Sequence, residues 1–426
     1  MTPSSLIRQA VLSTVGVAVQ GLARFAYAVL IARFVGPDQL ALVNTLISLS
    51  IILSLLWPTA AGNAAGTFLV RVLRRGHRPQ RLLALLWRST AIALVPICVV
   101  GIIVVLTAVG GSAADAAALA ALAIAWSAYI LTRGVRMGLG QVGAAATWDV
   151  VTSACTLLLL AGVLATGAHA VLLWPLIVGY LLFAVAAIPA MVRTSADGTP
   201  DTATRPAEVM HLIGWNSAGL LATNGLIQFS MVFAYATSAP LEAGMFAAAM
   251  ALATPASMLA QAVSQVLIPR FSHWLDEDLT AARRHYLLVM AAMGAILVLV
   301  FGGLVVVAPW LVPILYGPGY DAAVPLLQLL LVGSFLFSLG LLAASFLITS
   351  WRTVSATVAA VAGSLVGLIT MSLAAGTIGG ALAAAVGVIA GTAVTAVAAF
   401  STSLRLPSRP ALPTRSAAAD PVTPNG

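Results

Sequence analysis

Twelve apolar runs, each about 20 or more residues long and separated by short polar stretches, constrain this chain more than any other feature. They fall near residues 10–33, 40–62, 82–108, 116–137, 143–166, 169–192, 210–236, 242–268, 285–311, 323–349, 353–375 and 378–404. At a rise of about 1.5 Å per residue, each is long enough to cross a bilayer core of about 30 Å as a helix. A membrane β-barrel would show alternation in ten-residue segments, and these runs are continuous. Only 8% of the 426 residues are charged, against about a quarter in soluble domains. The expected fold class is an all-α polytopic membrane protein.

The first run, AVLSTVGVAVQGLARFAYAVLIARF, holds Arg24 deep inside it. On a helical wheel Ser13, Gln20, Arg24 and Tyr27 share one narrow face. A permanent cation facing lipid at the helix centre costs roughly 2.5–3.5 kcal/mol. This face is therefore expected to line a wet cavity within a bundle. Run length, Arg24 and the lack of a small-residue cleavage site set the stretch apart from a cleavable signal.

All twenty basic residues are Arg. Seventeen of them fall on alternate loops, among them the cluster Arg71, Arg74, Arg75, Arg78 and Arg81 and the pair Arg133 and Arg136. The opposite loops carry Asp38, Asp115, Glu242 and Asp321 and little else. By the positive-inside rule the arginine-rich side is cytoplasmic, and both termini lie there. Scattered as they are between apolar runs, the arginines read as membrane topology and not as a nucleic-acid surface. All-Arg usage with abundant Ala fits a GC-rich bacterial genome, so the expected location is a bacterial cytoplasmic membrane.

A polar, Pro- and Thr-rich stretch, 193–209, divides the runs six and six. FVGPDQLALVNTLISL near residue 34 and TSAPLEAGMFAAAMAL near residue 237 occupy matching places in the two halves. The expected organisation is an N-terminal six-helix lobe (1–192), a cytoplasmic linker (193–209), a pseudo-symmetric C-terminal six-helix lobe (210–404) and a disordered tail (405–426).

Polar faces recur inside the membrane. Ser217, Asn224, Gln228 and Tyr235 share one face of the seventh run, Thr254, Gln261 and Gln265 one of the eighth, and Ser334, Ser338, Ser345 and Thr349 one of the tenth. Such groups either join helices, at about 0.6 kcal/mol each, or contact a cargo. Amides and hydroxyls suit sugar hydroxyls, and a guanidinium suits phosphate through its bidentate fork. Asp149, a turn or two inside the fifth run, is either a proton or sodium coupling site or a partner for Arg133, Arg136 or Arg88; pairing is the favoured reading. The Arg71–Arg81 cluster could bind anionic head groups, although topology alone accounts for it.

No enzyme constellation is present. There is no phosphate-cradling GxxxxGK[ST] motif, and the five His residues are dispersed without metal-ligand spacing. Cys98 and Cys155 lie inside apolar runs and define no disulfide framework. Neither an enzyme nor a cofactor is expected, apart from a coupling H+ or Na+.

The stretches YAVLIARFVGPDQLALVNTLISLSIILSLL, LEAGMFAAAMALATPASMLAQAVSQVLIPRFS and WLVPILYGPGYDAAVPLLQLLLVGSFLFSLG resemble the polysaccharide-biosynthesis transporters. These are the oligosaccharide-lipid flippases of the multidrug/oligosaccharidyl-lipid/polysaccharide (MOP) superfamily. The resemblance spans most of residues 6–404. It implies a MATE-like, twelve-helix, two-lobed flippase working by alternating access, which moves a polyprenyl-(pyro)phosphate-linked glycan between leaflets. Arg24, with Gln20, would meet the head group; Tyr27, Ser217, Asn224, Gln228, Gln261, Gln265, Ser334 and Ser338 would meet the glycan. Glycosyltransferases or a polymerase of the same pathway are the partners it implies. Drug exporters of the superfamily commonly carry an acid in the first helix, where this chain has Arg24. The alternatives are a drug or metabolite exporter and a non-transporting scaffold of a glycan-assembly complex.

Overall fold

The computed structural model describes residues 3–194, 199–200, 204–277, 279–350 and 352–405. The first half contains α1 (Pro3–Phe34), α2 (Pro37–Leu55), α3 (Pro58–Arg74), α4 (Gln80–Val104), α5 (Ala113–Gly138), α6 (Val142–Thr166) and α7 (Trp174–Thr194). The second contains α8 (Pro206–Leu220), α9 (Leu226–Thr237), α10 (Pro240–Glu277), α11 (Leu279–Tyr316), α12 (Ala323–Thr349), α13 (Thr353–Ile378) and α14 (Gly380–Leu404). Among the described residues, eleven helical spans are long and apolar enough to cross a membrane. The predicted eighth run corresponds to α10, some of whose side chains lie outside the described residues. The chain is thus an all-α, multi-pass membrane protein.

Local chemistry explains where the helices stop. The predicted second run is two helices, because Pro58 has no N–H to donate and pushes Trp57 out of the helical region, to φ −151°. Ser112 caps α5 in a reciprocal box: Asp115 N donates to Ser112 Oγ at 3.2 Å, and Ser112 N donates to the Asp115 carboxylate at 2.9 Å. Asp115, read from the sequence as a loop acid, is thus a helix cap. Between α8 and α9 the chain makes one turn of π-helix, Leu221–Gly225, so the predicted seventh run is a single rod with one extra residue in its middle.

The same packing pairs occur in both halves. α5 lies against α2, α3, α4 and α7; α12 lies against α10, α11 and α14. Small residues allow the closest approaches, as is usual between membrane helices. A Cβ placed on Gly134 of α5 would overlap the Gly62 carbonyl of α3, which is backbone and cannot swing aside. Gly134→Ala is therefore expected to cost about 1–3 kcal/mol by overpacking, read as a lower unfolding midpoint in detergent.

The halves meet where α10 lies against α1 and α2, α9 against α2, and α8 against α3. At the arginine-poor end, a Cβ on Gly244 of α10 would stand 2.5 Å from the Pro37 carbonyl that starts α2. Close by, Tyr320 OH donates to the Ala32 carbonyl at 3.1 Å, joining the α11–α12 turn to the end of α1. Burial, and to a lesser extent the nearby Asp38 carboxylate, push the Tyr320 phenol up to about 12. At the arginine-rich end Val209 and Ile213 of α8 are buried with Phe68, Leu69 and Val72 of α3, and Arg71 faces Glu208 at 3.7 Å on the exposed surface. Of the central stretch, Thr199–Pro200 pairs in parallel with His77–Arg78, while residues 195–198 and 201–203 lie outside the described residues, as does the tail beyond Arg405.

Candidate functional site: a cavity between the two halves

Three anchors hold α1 in place. Gly16 lets it approach α6 so closely that a Cβ would sit 2.6 Å from Asp149 Oδ2 and 3.2 Å from Ala146 Cα. Tyr27 OH donates to the Leu172 carbonyl just before α7. Ala32 accepts from Tyr320, as above. Between the first two anchors Arg24 extends its guanidinium over the ring of Trp126 on α5, 4.7 Å from the ring centre. Trp126 is itself fixed: its Nε1 donates to Ser54 Oγ at 3.0 Å, and it packs against Tyr129 and edge-on to Tyr180. A cation–π contact is worth about 0.5–2 kcal/mol and uses the face of the guanidinium, leaving its N–H fork free. Among the described residues, Arg24 has neither a hydrogen-bond acceptor nor a carboxylate at ion-pair distance.

Arg24 faces an open cavity of about 670 Å³, most of which is its open mouth. Its polar walls are Arg24 of α1, Asn44 and Ser48 of α2, Gln228 of α9 and Thr254 of α10; Tyr27, Ile31 and Met250 are among the rest. Both halves therefore contribute, and among the described residues no wall residue is acidic. The cavity is electropositive, lined otherwise by neutral hydrogen-bonding groups and apolar side chains. Such a site favours an anion with attached hydroxyls over a cation.

The structure sorts the sequence-predicted residues. Arg24, Tyr27 and Gln228 line the cavity. The Tyr27 hydroxyl is already committed to a backbone carbonyl, so only its ring faces the space. Gln20 sits one turn before Arg24, half-buried, and is not a wall. Asn224 lies in the π turn, and its amide donates to the Thr223 hydroxyl at 3.0 Å. Ser338 is buried and donates to the Ser334 carbonyl at 2.6 Å within α12, so this pair closes a helical turn away from the cavity. Ser217 is buried in α8, also outside the walls. Gln261 and Gln265 fall where α10's side chains lie outside the described residues, as does Ser13 on α1. Asn44 and Ser48 escaped the sequence reading. Their i, i+4 spacing in an otherwise apolar run was the available signal, and only packing shows that this face turns toward Arg24.

Asp149 forms a separate, buried polar centre inside the first half. Its carboxylate accepts from Tyr129 OH at 2.8 Å and from Arg133 Nε at 3.1 Å. Arg136 is buried too, donating to the Ala144 carbonyl at 3.2 Å and the Ala186 carbonyl at 2.6 Å and lying over the Phe183 ring. The sequence placed Arg133 and Arg136 among the loop arginines; they belong to α5 and tie it to α6 and α7. A long side chain at a helix end can reach backbone carbonyls of its neighbours, which periodicity does not reveal.

Residues 144–325 match the model of a family described as "Polysaccharide biosynthesis protein". No curated protein matches the chain. Solved structures superpose over nearly its full length. One is an inward-facing multidrug resistance MATE family transporter of the MOP superfamily (15% identity, 92% of this chain and 97% of that one, TM-score 0.69). Another is the lipid II flippase MurJ in an inward closed conformation (12% identity, 92% and 87%, TM-score 0.70). A third is a MOP superfamily transporter from Pyrococcus furiosus, described as having a binding pocket of reverse polarity (14% identity, 93% and 94%, TM-score 0.52).

The fold is that of the MOP superfamily.

The likeness to polysaccharide-biosynthesis proteins read from the sequence agrees with the family match over residues 144–325, and the MOP fold read with it agrees with the superpositions. In the MOP fold the space between the halves is where Arg24, Asn44 and Gln228 converge.

Proposed function

We propose that this MOP-superfamily protein is a flippase for a lipid-linked oligosaccharide, carried on a polyprenyl phosphate or pyrophosphate. The observation that carries the proposal is a guanidinium seated on Trp126, with no carboxylate partner among the described residues, facing a cavity between the halves whose described walls hold no acid. The phosphate meets Arg24; sugar hydroxyls meet Gln228, Asn44 and Thr254; the prenyl chain stays in lipid. Rocking of the first-half lobe (1–192) against the second (210–404) moves the head group from the arginine-rich, cytoplasmic side to the other leaflet. The arginine asymmetry supports a cytoplasmic-membrane location with both termini inside, and a glycan cargo implies glycosyltransferases upstream. The Asp149 carboxylate, already satisfied by Arg133 and Tyr129, fits a structural role better than ion coupling.

The test is reconstitution in vesicles with a fluorescent polyprenyl-pyrophosphate-linked saccharide, following its accessibility to a membrane-impermeant quencher. The expected result is translocation well above protein-free vesicles, without export of cationic dyes. Dye export with no saccharide translocation would overturn the proposal in favour of a drug exporter.

A further inference from the structure

A second recess lies on the outer wall of the first half, far from the Arg24 cavity in lining and character. It is a groove of about 1230 Å³, open mouth included, between α4 and α7, lined by Leu83 and Trp87 on one side and Val185, Ile188 and Val192 on the other. The last three are strongly exposed, at 59%, 51% and 66%, so the groove faces the surroundings of the bundle, which in a membrane is lipid. Its polar end is at Gln80, where α4 begins.

One cation follows each end of the groove's α4 wall. Arg81, next to Gln80, and Arg88, next to Trp87, are both exposed; seven residues apart, they share a face of α4 about 100° round from the stripe that lines the groove, separated by two turns or about 10 Å, and neither is a wall residue. Arg88 lies about 12 Å up the helix from Gln80, within a span apolar enough to cross the membrane. No described carboxylate is within ion-pair distance of either. Just before α4, Arg78 has a buried Nε with no acceptor among the described residues. A cation on the lipid side of a span is costly unless it reaches water or an anion.

We propose that this groove is a binding site for an anionic bilayer phospholipid from the arginine-rich leaflet: the acyl chain lies along Trp87 and Ile188, and the phosphate is held between Arg81 and Arg88. Charge complementarity selects the occupant. An apolar trough alone would accept any acyl chain, whereas two exposed guanidinium groups, each one residue on from its α4 wall and within side-chain reach of it, favour a net negative head group. Positive-inside topology requires arginines in this loop but does not require one two turns up a lipid-facing surface next to an acyl-sized groove.

The test uses the full chain in vesicles containing phosphatidylglycerol or phosphatidylcholine with brominated acyl chains, which quench nearby tryptophan. Trp87→Phe isolates the Trp87 signal from the other Trp residues by difference. Quenching of Trp87 is expected to report about tenfold tighter association of the brominated phosphatidylglycerol, with the preference falling as salt rises. The double variant Arg81→Gln/Arg88→Gln, checked for an unchanged unfolding midpoint, should abolish the preference while leaving basal quenching. Equal quenching by the two lipids, or a preference that survives the double substitution, overturns the proposal. So does stronger quenching by a brominated polyprenyl phosphate than by phosphatidylglycerol, which would assign the groove to the cargo's tail.

Discussion

Arg24→Ala is expected to reduce saccharide-lipid translocation by on the order of 100-fold or more while leaving the protein folded. The size follows from what the guanidinium offers the cargo. A hydrogen bond to a charged group contributes about 1.5–3 kcal/mol, and the fork can make two with a phosphate. Folding should hardly notice: the variant loses a cation–π contact of about 0.5–2 kcal/mol but also sheds a charge that is costly to hold inside a bundle. Arg24→Lys separates charge from geometry. It keeps the cation but loses the planar fork and the stacking on Trp126, so an intermediate rate is expected. The measurement is translocation in reconstituted vesicles, normalised to protein in the membrane, with the unfolding midpoint as control. Translocation by Arg24→Ala at the parent rate would remove this residue from the mechanism.

Asp149→Ala is expected to destabilise the protein by about 3–5 kcal/mol, because it strips the partner from a buried cation. Arg133 is largely buried and would keep its charge, and Tyr129 OH would lose its acceptor. The cavity left beside Gly16 loosens the α1–α6 contact as well, so Arg24 itself would be less firmly placed. The double variant Arg133→Met/Asp149→Leu, apolar and of similar volume, should recover most of the lost stability, since a buried pair replaced as a pair is often nearly neutral. Unfolding in detergent measures both. If Asp149→Ala left the midpoint unchanged but stopped transport, the carboxylate would be the ion-coupling group instead.

The two sites differ in how visible they are before folding. Arg24 stands out at once, because a charge inside a lipid-length run has few affordable surroundings. Its partner does not: Trp126 is about a hundred residues away, and nothing in the local pattern of either helix names the other. Of the polar residues on the seventh and tenth runs, Ser338 spends its hydroxyl on the Ser334 carbonyl within α12 and Asn224 its amide on Thr223 within the π turn. Among the described residues of the polar faces of the seventh, eighth and tenth runs, Gln228 and Thr254 reach the cavity walls. Asn44 and Ser48 were passed over as two polar residues in an apolar run.

The sequence by itself determined the class of fold, the rough extent of most helical runs and the presence of a cation inside one of them. The bilayer allows few ways to satisfy a backbone, and about 20 apolar residues is the length it demands. The tertiary structure decided which faces meet. Helical periodicity assigns residues to a face of their own helix, but contacts such as Gly134 on Gly62 and Gly244 on Pro37 set how closely helices approach and how they are turned. That rotation made Asp149 a structural partner of Arg133, put Arg136 on backbone carbonyls, and left Arg24 facing open space.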